Sequence, residues 1–473
     1  MAVSANSVRD DPLTHAERRR IIFGVLLPLF LGSLDQTNLA NALPTIGAAI
    51  GHVQALPWLI TIYLLAGTAM TPLYGKISDI HGRRVTLRAA LMLYVLGSLV
   101  CALSPNFYVL LAGRAVQGLG GGGLTALAMV VLGDIAAPKD RGRYYAYFSI
   151  VFTTSGAAGP VLGGFLAQYV HWTAIFWVNV PAGLLAIVLM TVLLRRLPRH
   201  ERPHRLDLMG SALIVIASVP FMLMLNVGGK VYPWLSPPVL ALGGLALLAG
   251  LGFVARLLTA PEPLIPLPIL ADPVVRAALG ANALGWGAIF ALNIFLPIFL
   301  QEGLGMTASA AGLSLMILMV SVNVGAGIAG QVIARVTHYK RLPLAGVVLA
   351  IAAMTVLLWA GEALTPLAFQ LVIGTIGLGF GPLAPVSTVA LQNAVLPHQF
   401  GITIGAMNFT RSLFTTMLIA ACGALVLSGG PHPASGFRWV FAAAGASMVL
   451  ALICLLLLEE KPLQTDAVRR EGR

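Results

Sequence analysis

Fourteen apolar runs, each close to the length needed to cross a bilayer, set the limits on what this chain can be. A helix rises 1.5 Å per residue, so about 20 apolar residues cover a hydrocarbon core of about 30 Å. The runs fall at roughly 21–44, 57–76, 86–104, 107–133, 146–169, 173–194, 208–228, 238–258, 276–301, 310–335, 342–361, 366–390, 401–427 and 437–458. Only 10% of the 473 residues are charged and 58% are hydrophobic, a balance foreign to soluble domains of this size. The reading is an all-α integral membrane protein with fourteen transmembrane helices.

Charge placement supports the count independently. With the N-terminus in the cytoplasm, one set of loops holds Arg18, Arg19 and Arg20, then Lys76, Arg83, Arg84 and Arg88, then Lys139, Arg141 and Arg143. The same side takes the Arg195 to Arg205 cluster, Arg256, Arg276, Arg335, Lys340, Arg341 and the basic C-terminal tail. Of the 29 Lys and Arg, only Lys230 and Arg438 fall on the other side, and only Arg114 and Arg411 fall within spans. Such asymmetry is the positive-inside pattern, and it expects a multi-pass protein of the plasma or inner cell membrane with both termini cytoplasmic. The net charge of +12 then faces anionic lipid instead of forming one nucleic-acid-binding patch. Residues 1–20 are polar and charged, so no signal peptide is expected before the first span. Cys101, Cys422 and Cys454 sit in apolar runs without metal-ligand or disulfide spacing.

The chain repeats itself. A shift of 259 residues maps Gly118-Leu-Gly120 onto Gly377-Leu-Gly379, Gly122 onto Gly381, Pro138 onto Pro397 and Gly142 onto Gly401 without a gap. Two homologous six-helix bundles facing each other would produce this register. The expected organisation is a cytoplasmic segment 1–20, a bundle 21–194, a linker 195–207, two additional central helices within 208–275, a second bundle 276–458 and a tail 459–473.

Three local signatures carry most of the functional information. Gly156, Gly159 or Pro160, and Gly163 recur at helical spacing in Gly156-Ala-Ala-Gly-Pro-Val-Leu-Gly-Gly164. They would form a side-chain-free stripe that a partner helix can approach, with a kink at Pro160. Between spans 2 and 3, Gly75-Lys-Ile-Ser-Asp79-Ile-His-Gly82-Arg83-Arg84 offers a close approach at Gly75 and a tight turn at Gly82. Its Asp79 can cap a helix N-terminus or pair with Arg83 or Arg84. Span 4 contributes Arg114-Ala-Val-Gln117-Gly118.

Together with Leu34-Asp35-Gln-Thr37-Asn38 in span 1 and Trp177-Val-Asn179-Val-Pro181 in span 6, these motifs resemble the fourteen-helix drug:proton antiporter branch of the major facilitator superfamily. The resemblance implies an antiporter motif at Gly156, Gly159, Pro160, Gly163 and Gly164. It implies a cytoplasmic latch at Gly75, Asp79, Gly82, Arg83 and Arg84. The second half departs from the family: 330–341 lacks the latch aspartate, and the helix around Arg411 is poorer in glycine than expected.

A census of acids points to the chemistry. Of 17 acidic residues only Asp35 lies deep in a span; Asp79, Asp134, Glu302 and Glu362 lie at ends or in loops. A carboxylate at mid-membrane is costly unless paired, solvated or neutral, which makes it a functional candidate. Asp35 lies nine residues before Pro44, about 13 Å from the far end, and Arg114 lies seven residues after Phe107, about 10 Å from it. The two can meet. Burial disfavours the carboxylate and the guanidinium favours it, so opening to one side changes both influences and lets Asp35 exchange a proton. Asn38 and Asn41 follow on a similar face. Trp58, Tyr63, Gln117 and Phe152 in the first half are expected to line a substrate cavity, as are Trp286, Phe290, Asn293, Met316, Asn323, Asn408 and Arg411 in the second.

These residues lead to a proton-coupled efflux antiporter for amphipathic compounds, a monomer working in the lipid bilayer with protons as the coupling ion and no cofactor. A proton-coupled importer, an exporter of one endogenous metabolite, or a transport-inactive receptor or scaffold fits the same pattern. An enzyme does not. The Gly120 to Gly123 run lacks the Lys-Ser/Thr of a phosphate loop, and no metal-ligand histidine pair or catalytic set is present.

Overall fold

The computed structural model describes residues 14–52, 55–136, 138–196, 206–229, 231–333, 339–361, 363–428 and 433–460. Most of the 195–207 linker, the 461–473 tail, Lys230 and Glu362 therefore lie outside the described residues, as do the side chains of Asn41, Pro160 and Glu302.

Among the described residues, fourteen helices are long and apolar enough to cross a membrane, at the expected places. Spans 1 to 6 are His15–Ile50, Pro57–His81, Arg83–Ala102, Phe107–Ile135, Pro138–Phe165 and Ala174–Leu193. Spans 7 and 8 are Leu208–Val227 and Pro237–Thr259. Spans 9 to 14 are Pro273–Ile298, Ala308–Ile333, Arg341–Ala360, Pro366–Ala394, Phe400–Ser428 and Pro433–Leu457. Several starts have visible causes: the side chains of Thr14, Asn106, Asp207, Asp272 and Thr365 each accept a hydrogen bond from an otherwise unsatisfied first-turn N–H. Span 1 continues through Pro44 to Ile50 instead of ending near Pro44, so Asp35 lies deeper than the sequence suggested, about 22 Å from that end.

Helix packing repeats with an offset of eight spans. Span 1 packs on 5 and 6 as 9 packs on 13 and 14; span 4 packs on 2 and 3 as 12 packs on 10 and 11. The glycine repeat explains why. A side chain at Gly118 or Gly122 would strike span 2 at Tyr63 or Gly67, and one at Gly120 would strike span 3 at Tyr94. Their counterparts Gly377 and Gly381 meet span 10 at Leu318 and Val322, while Gly379 meets span 11 at Gly346. Close backbone approach on two faces of one helix is what fixes glycine at these positions.

The main contacts between the two groups, spans 2 with 13 and 5 with 10, obey the same pseudo-symmetry. Spans 7 and 8 pack on each other, and span 7 rides on spans 2 and 13. Among the described residues, the hydrogen bonds joining the two groups all lie at the end rich in Lys and Arg. The apolar core there is continuous across both groups. At the far end, spans 1 to 6 form a separate cluster of Leu39, Ile46, Leu59, Phe107, Trp172 and Phe176 with no residue of the second group. The molecule is thus closed at its basic end.

Candidate functional site

Span 1 carries Asp35 into the middle of the first group, where spans 3, 4 and 6 converge on it. Arg114 Nη1 donates to Asp35 Oδ2 at 2.6 Å, and the other carboxylate oxygen accepts from Gln117 Nε2 at 2.9 Å and Asn179 Nδ2 at 3.1 Å. Arg114 also donates to the Leu59 carbonyl at 3.2 Å and to Gln117 Oε1 at 2.6 Å, and its guanidinium lies 4.4 Å from the Tyr63 ring centroid. Asp35 is 3% exposed and Arg114 1%. Gln117 reaches Ser98 Oγ, which in turn donates to the Tyr94 carbonyl, while the Tyr94 hydroxyl donates to Leu31 of span 1. The close approach that Gly97 allows to the Gln117 backbone brings Ser98 within reach. The charge on Asp35 is therefore fully engaged, with its donors supplied by spans 4 and 6.

The residues expected to line a cavity in the first half have differing surroundings. Gln117 and Tyr63 are buried members of the ion-pair network, and Trp58 packs against the far-end apolar cluster. Phe152 is exposed on span 5. Sequence reasoning did not assign Asn179, Ser98 or Tyr94 to the site, although Asn179 stands in the span 6 motif that carries the resemblance.

The glycine stripe of span 5 faces span 1 beside this network, but only in part. A side chain at Gly159 would strike Thr37, and one at Gly163 would strike the Asn38 backbone. Ser155 completes the seam, with its hydroxyl 2.5 Å from that of Ser33 and its carbonyl accepting from Thr37 at 3.1 Å. Gly156 and Gly164 have open space where a side chain would point. The contact stripe is therefore Ser155, Gly159 and Gly163, spaced by four, and Gly156 and Gly164 lie off it. Asn38 is buried in the same seam, and its Oδ1 has no hydrogen-bond partner.

The loop motif forms a junction between the two groups at the basic end. Asp79 pairs with Arg83 and also accepts from the Gly401 N–H at 3.2 Å and the Ile402 N–H at 2.8 Å, capping span 13 from across the interface. Gly75 is obligatory because a side chain would strike the Gly401 carbonyl. Gly82 takes φ +86°, the left-handed turn that lets span 3 start at once. Arg83 further donates to Asp134 at 2.8 Å and to the Pro397 carbonyl at 3.4 Å. Of the two arginines, Arg83 is the one paired with Asp79 among the described residues. Asp79→Asn removes one charged acceptor from two backbone donors of span 13, so the basic end should open more often. Pulsed-EPR distances between labels on His81→Cys and Leu396→Cys should gain a longer population in that variant; an unchanged distribution would mean that the cap does not hold the halves together.

In the second half, Arg411 lies over the Trp286 ring, 5.6 Å from its centroid, and Trp286 packs tilted against Phe290 with centroids 5.5 Å apart. Asn408 and Asn323 donate to backbone carbonyls of their own helices. Asn293 is half-buried on span 9 and Met316 exposed on span 10. No group of metal-ligating side chains occurs among the described residues.

Residues 25–418 match the family model of the Major Facilitator Superfamily. The chain belongs to the major facilitator superfamily. It is 28% identical over 87% of its length to the multidrug transporter protein MdtP of Bacillus subtilis, covering 76% of that protein. It is 31% identical over 85% of its length to the efflux pump dotC of Dothistroma septosporum, covering 69% of it. Among solved structures, a double-Trp mutant of XylE superposes with a TM-score of 0.68 at 15% identity, over 95% of this chain and 98% of that one, a likeness of fold. This superfamily chain is a multi-pass membrane transporter and not an enzyme.

Proposed function

We propose that this transporter is a proton-coupled antiporter that exports amphipathic drugs or similar small molecules by alternating access. The observation that carries the reading is the Asp35 cluster, a mid-depth carboxylate whose three donors come from two neighbouring helices. An ionised carboxylate accepts all three, whereas a protonated one must itself donate and leaves a donor without an acceptor. Protonation also strips Arg114 of its counter-charge in a dry site, which is costly until helices shift or water enters. Proton occupancy and the position of span 1 are therefore linked, and span 1 bears directly on span 5 through Ser155, Gly159 and Gly163. A polar or cationic group of the substrate competes for the same carboxylate. Similarity to proteins named as a multidrug transporter and an efflux pump supports export.

The two halves, 21–194 and 276–458, rock about the contacts of spans 2 with 13 and 5 with 10, with the helices of 208–275 carried on the seam. In this reading the protein acts as a monomer in the cell membrane, and the positive-inside asymmetry supports a cytoplasmic basic end and cytoplasmic termini. A cysteine at position 340 should therefore resist an impermeant thiol reagent on intact cells, and one at position 230 should react; equal labelling would refute the assigned sidedness. Function itself is tested in proteoliposomes acidified inside. A lipophilic dye should accumulate in the lumen through inside-out molecules, and nigericin should collapse that accumulation. Uptake indifferent to the pH gradient would contradict coupling.

A further inference from the structure

Arg411 is a mid-depth cation without a counter-charge among the described residues. It lies about 17 Å along span 13 from its basic end and about 26 Å from its far end. Between residues 273 and 458 the sequence holds only two acids, Glu302 and Glu362, both in links at the far end. The mid-depth acid of the other half, Asp35, is taken up by Arg114, Gln117 and Asn179. Among the described residues the Arg411 guanidinium makes no hydrogen bond or ion pair, and its partner is the Trp286 ring. A charge held at this depth without an anion is a functional feature by default, because stacking on an indole offsets only part of the desolvation.

The neighbouring residues of span 13 extend the feature. Asn408, Arg411 and Thr415 fall at i, i+3 and i+7, on one face of the helix. Asn408 is 4% exposed, and its Oδ1 and the Thr415 hydroxyl are both buried without a hydrogen-bond partner. Trp286, fixed edge-on against Phe380 at 5.0 Å, and the half-exposed Phe290, tilted 37° to it, supply an aromatic wall. The face thus combines a forked cation, a free hydroxyl donor, an unused amide acceptor and an aromatic surface.

We infer that this face is a binding site for the carboxylate of an aromatic or amphipathic acid, and that the transported compounds include anions and zwitterions. The inference rests on the transport reading above for its biological use. The guanidinium fork matches the two carboxylate oxygens, the Thr415 hydroxyl donates to one of them, and Trp286 with Phe290 stacks on the ring. An N–H or O–H of the ligand satisfies Asn408 Oδ1. A lipid phosphate offers the guanidinium similar chemistry, and the test separates the two.

The full chain in phosphatidylcholine nanodiscs is titrated calorimetrically with 1-naphthoate, 1-naphthamide and 1-naphthylmethylammonium, without a pH gradient. The acid should bind at least about tenfold more tightly than the amide or the amine, equivalent to about 1.4 kcal/mol. Arg411→Gln should erase that preference and Arg411→Lys should keep part of it. Because Arg411→Gln removes an uncompensated charge, its melting temperature should not fall, whereas loss of a structural arginine would lower it. Equal affinity of the wild type for the three probes would overturn the site, as would an acid preference that survives Arg411→Gln. Loss of the preference when phosphatidylglycerol replaces phosphatidylcholine, in salt high enough to screen the surface charge, would assign Arg411 to an anionic headgroup and also overturn it. Since binding is read at equilibrium, failure of proton coupling leaves this result standing, and dye transport can persist if acid selectivity fails.

Discussion

Arg114→Ala should lose about 3–5 kcal/mol of stability, the range seen when one partner of a buried ion pair is removed. Arg114 is among the largest fully buried side chains, so its truncation opens a cavity as well as orphaning two acceptors, Asp35 Oδ2 and Gln117 Oε1. Thermal unfolding of the purified variant in detergent should show a large drop in midpoint together with loss of transport. Asp35→Asn should cost less, because it opens no cavity, although it too leaves Arg114 without its counter-charge. The amide still offers an oxygen acceptor, and Arg114 keeps Leu59, Gln117 and its stack on Tyr63. An Arg114→Ala protein as stable as wild type would mean that the ion pair is not the keystone of the first half.

The second large effect belongs to the seam between spans 1 and 5. A leucine at Gly163 places its Cβ in the Asn38 backbone, and one at Gly159 in Thr37. Neither obstacle is the end of a flexible side chain, so the helices must separate one turn from Asp35. Overpacking of this kind costs about 1–3 kcal/mol or more, and it should abolish transport because the carboxylate can no longer drive span 5. Gly156→Leu, pointing into open space, should retain the wild-type melting temperature. A melting temperature for Gly163→Leu equal to that of Gly156→Leu would show that the seam is inert.

That contrast marks where the sequence speaks and where it falls silent. Hydropathy and basic loops locate the spans because each is imposed by the bilayer on one segment at a time. Asp35 and Arg114 stand out for the same reason, since a charge in an apolar run is rare and costly. Gly156 and Gly163 look alike in sequence, yet only Gly163 faces a partner; spacing defines a helix face, and tertiary packing decides which face is used. Asn179 and Ser98 carried little signal because neutral amides and hydroxyls occur in many apolar helices, bonded to their own backbones, as Asn323 and Thr355 are here. Asp79 was legible as a helix cap, but the helix it caps begins more than 300 residues later, with Gly401 and Ile402. Tyr63, Trp58 and Gln117 invite a cavity reading because they are large polar or aromatic groups within spans; what the sequence does not show is that Tyr63 and Gln117 meet Arg114 and that Trp58 packs on the far-end cluster.

The central claim is that Asp35 carries the coupling proton. Purified wild-type protein in weakly buffered detergent solution, loaded at acid pH, should release protons when a transported dye is added, and the Asp35→Asn protein should bind the dye and release none. Proton release of equal size from the Asp35→Asn protein would contradict the account.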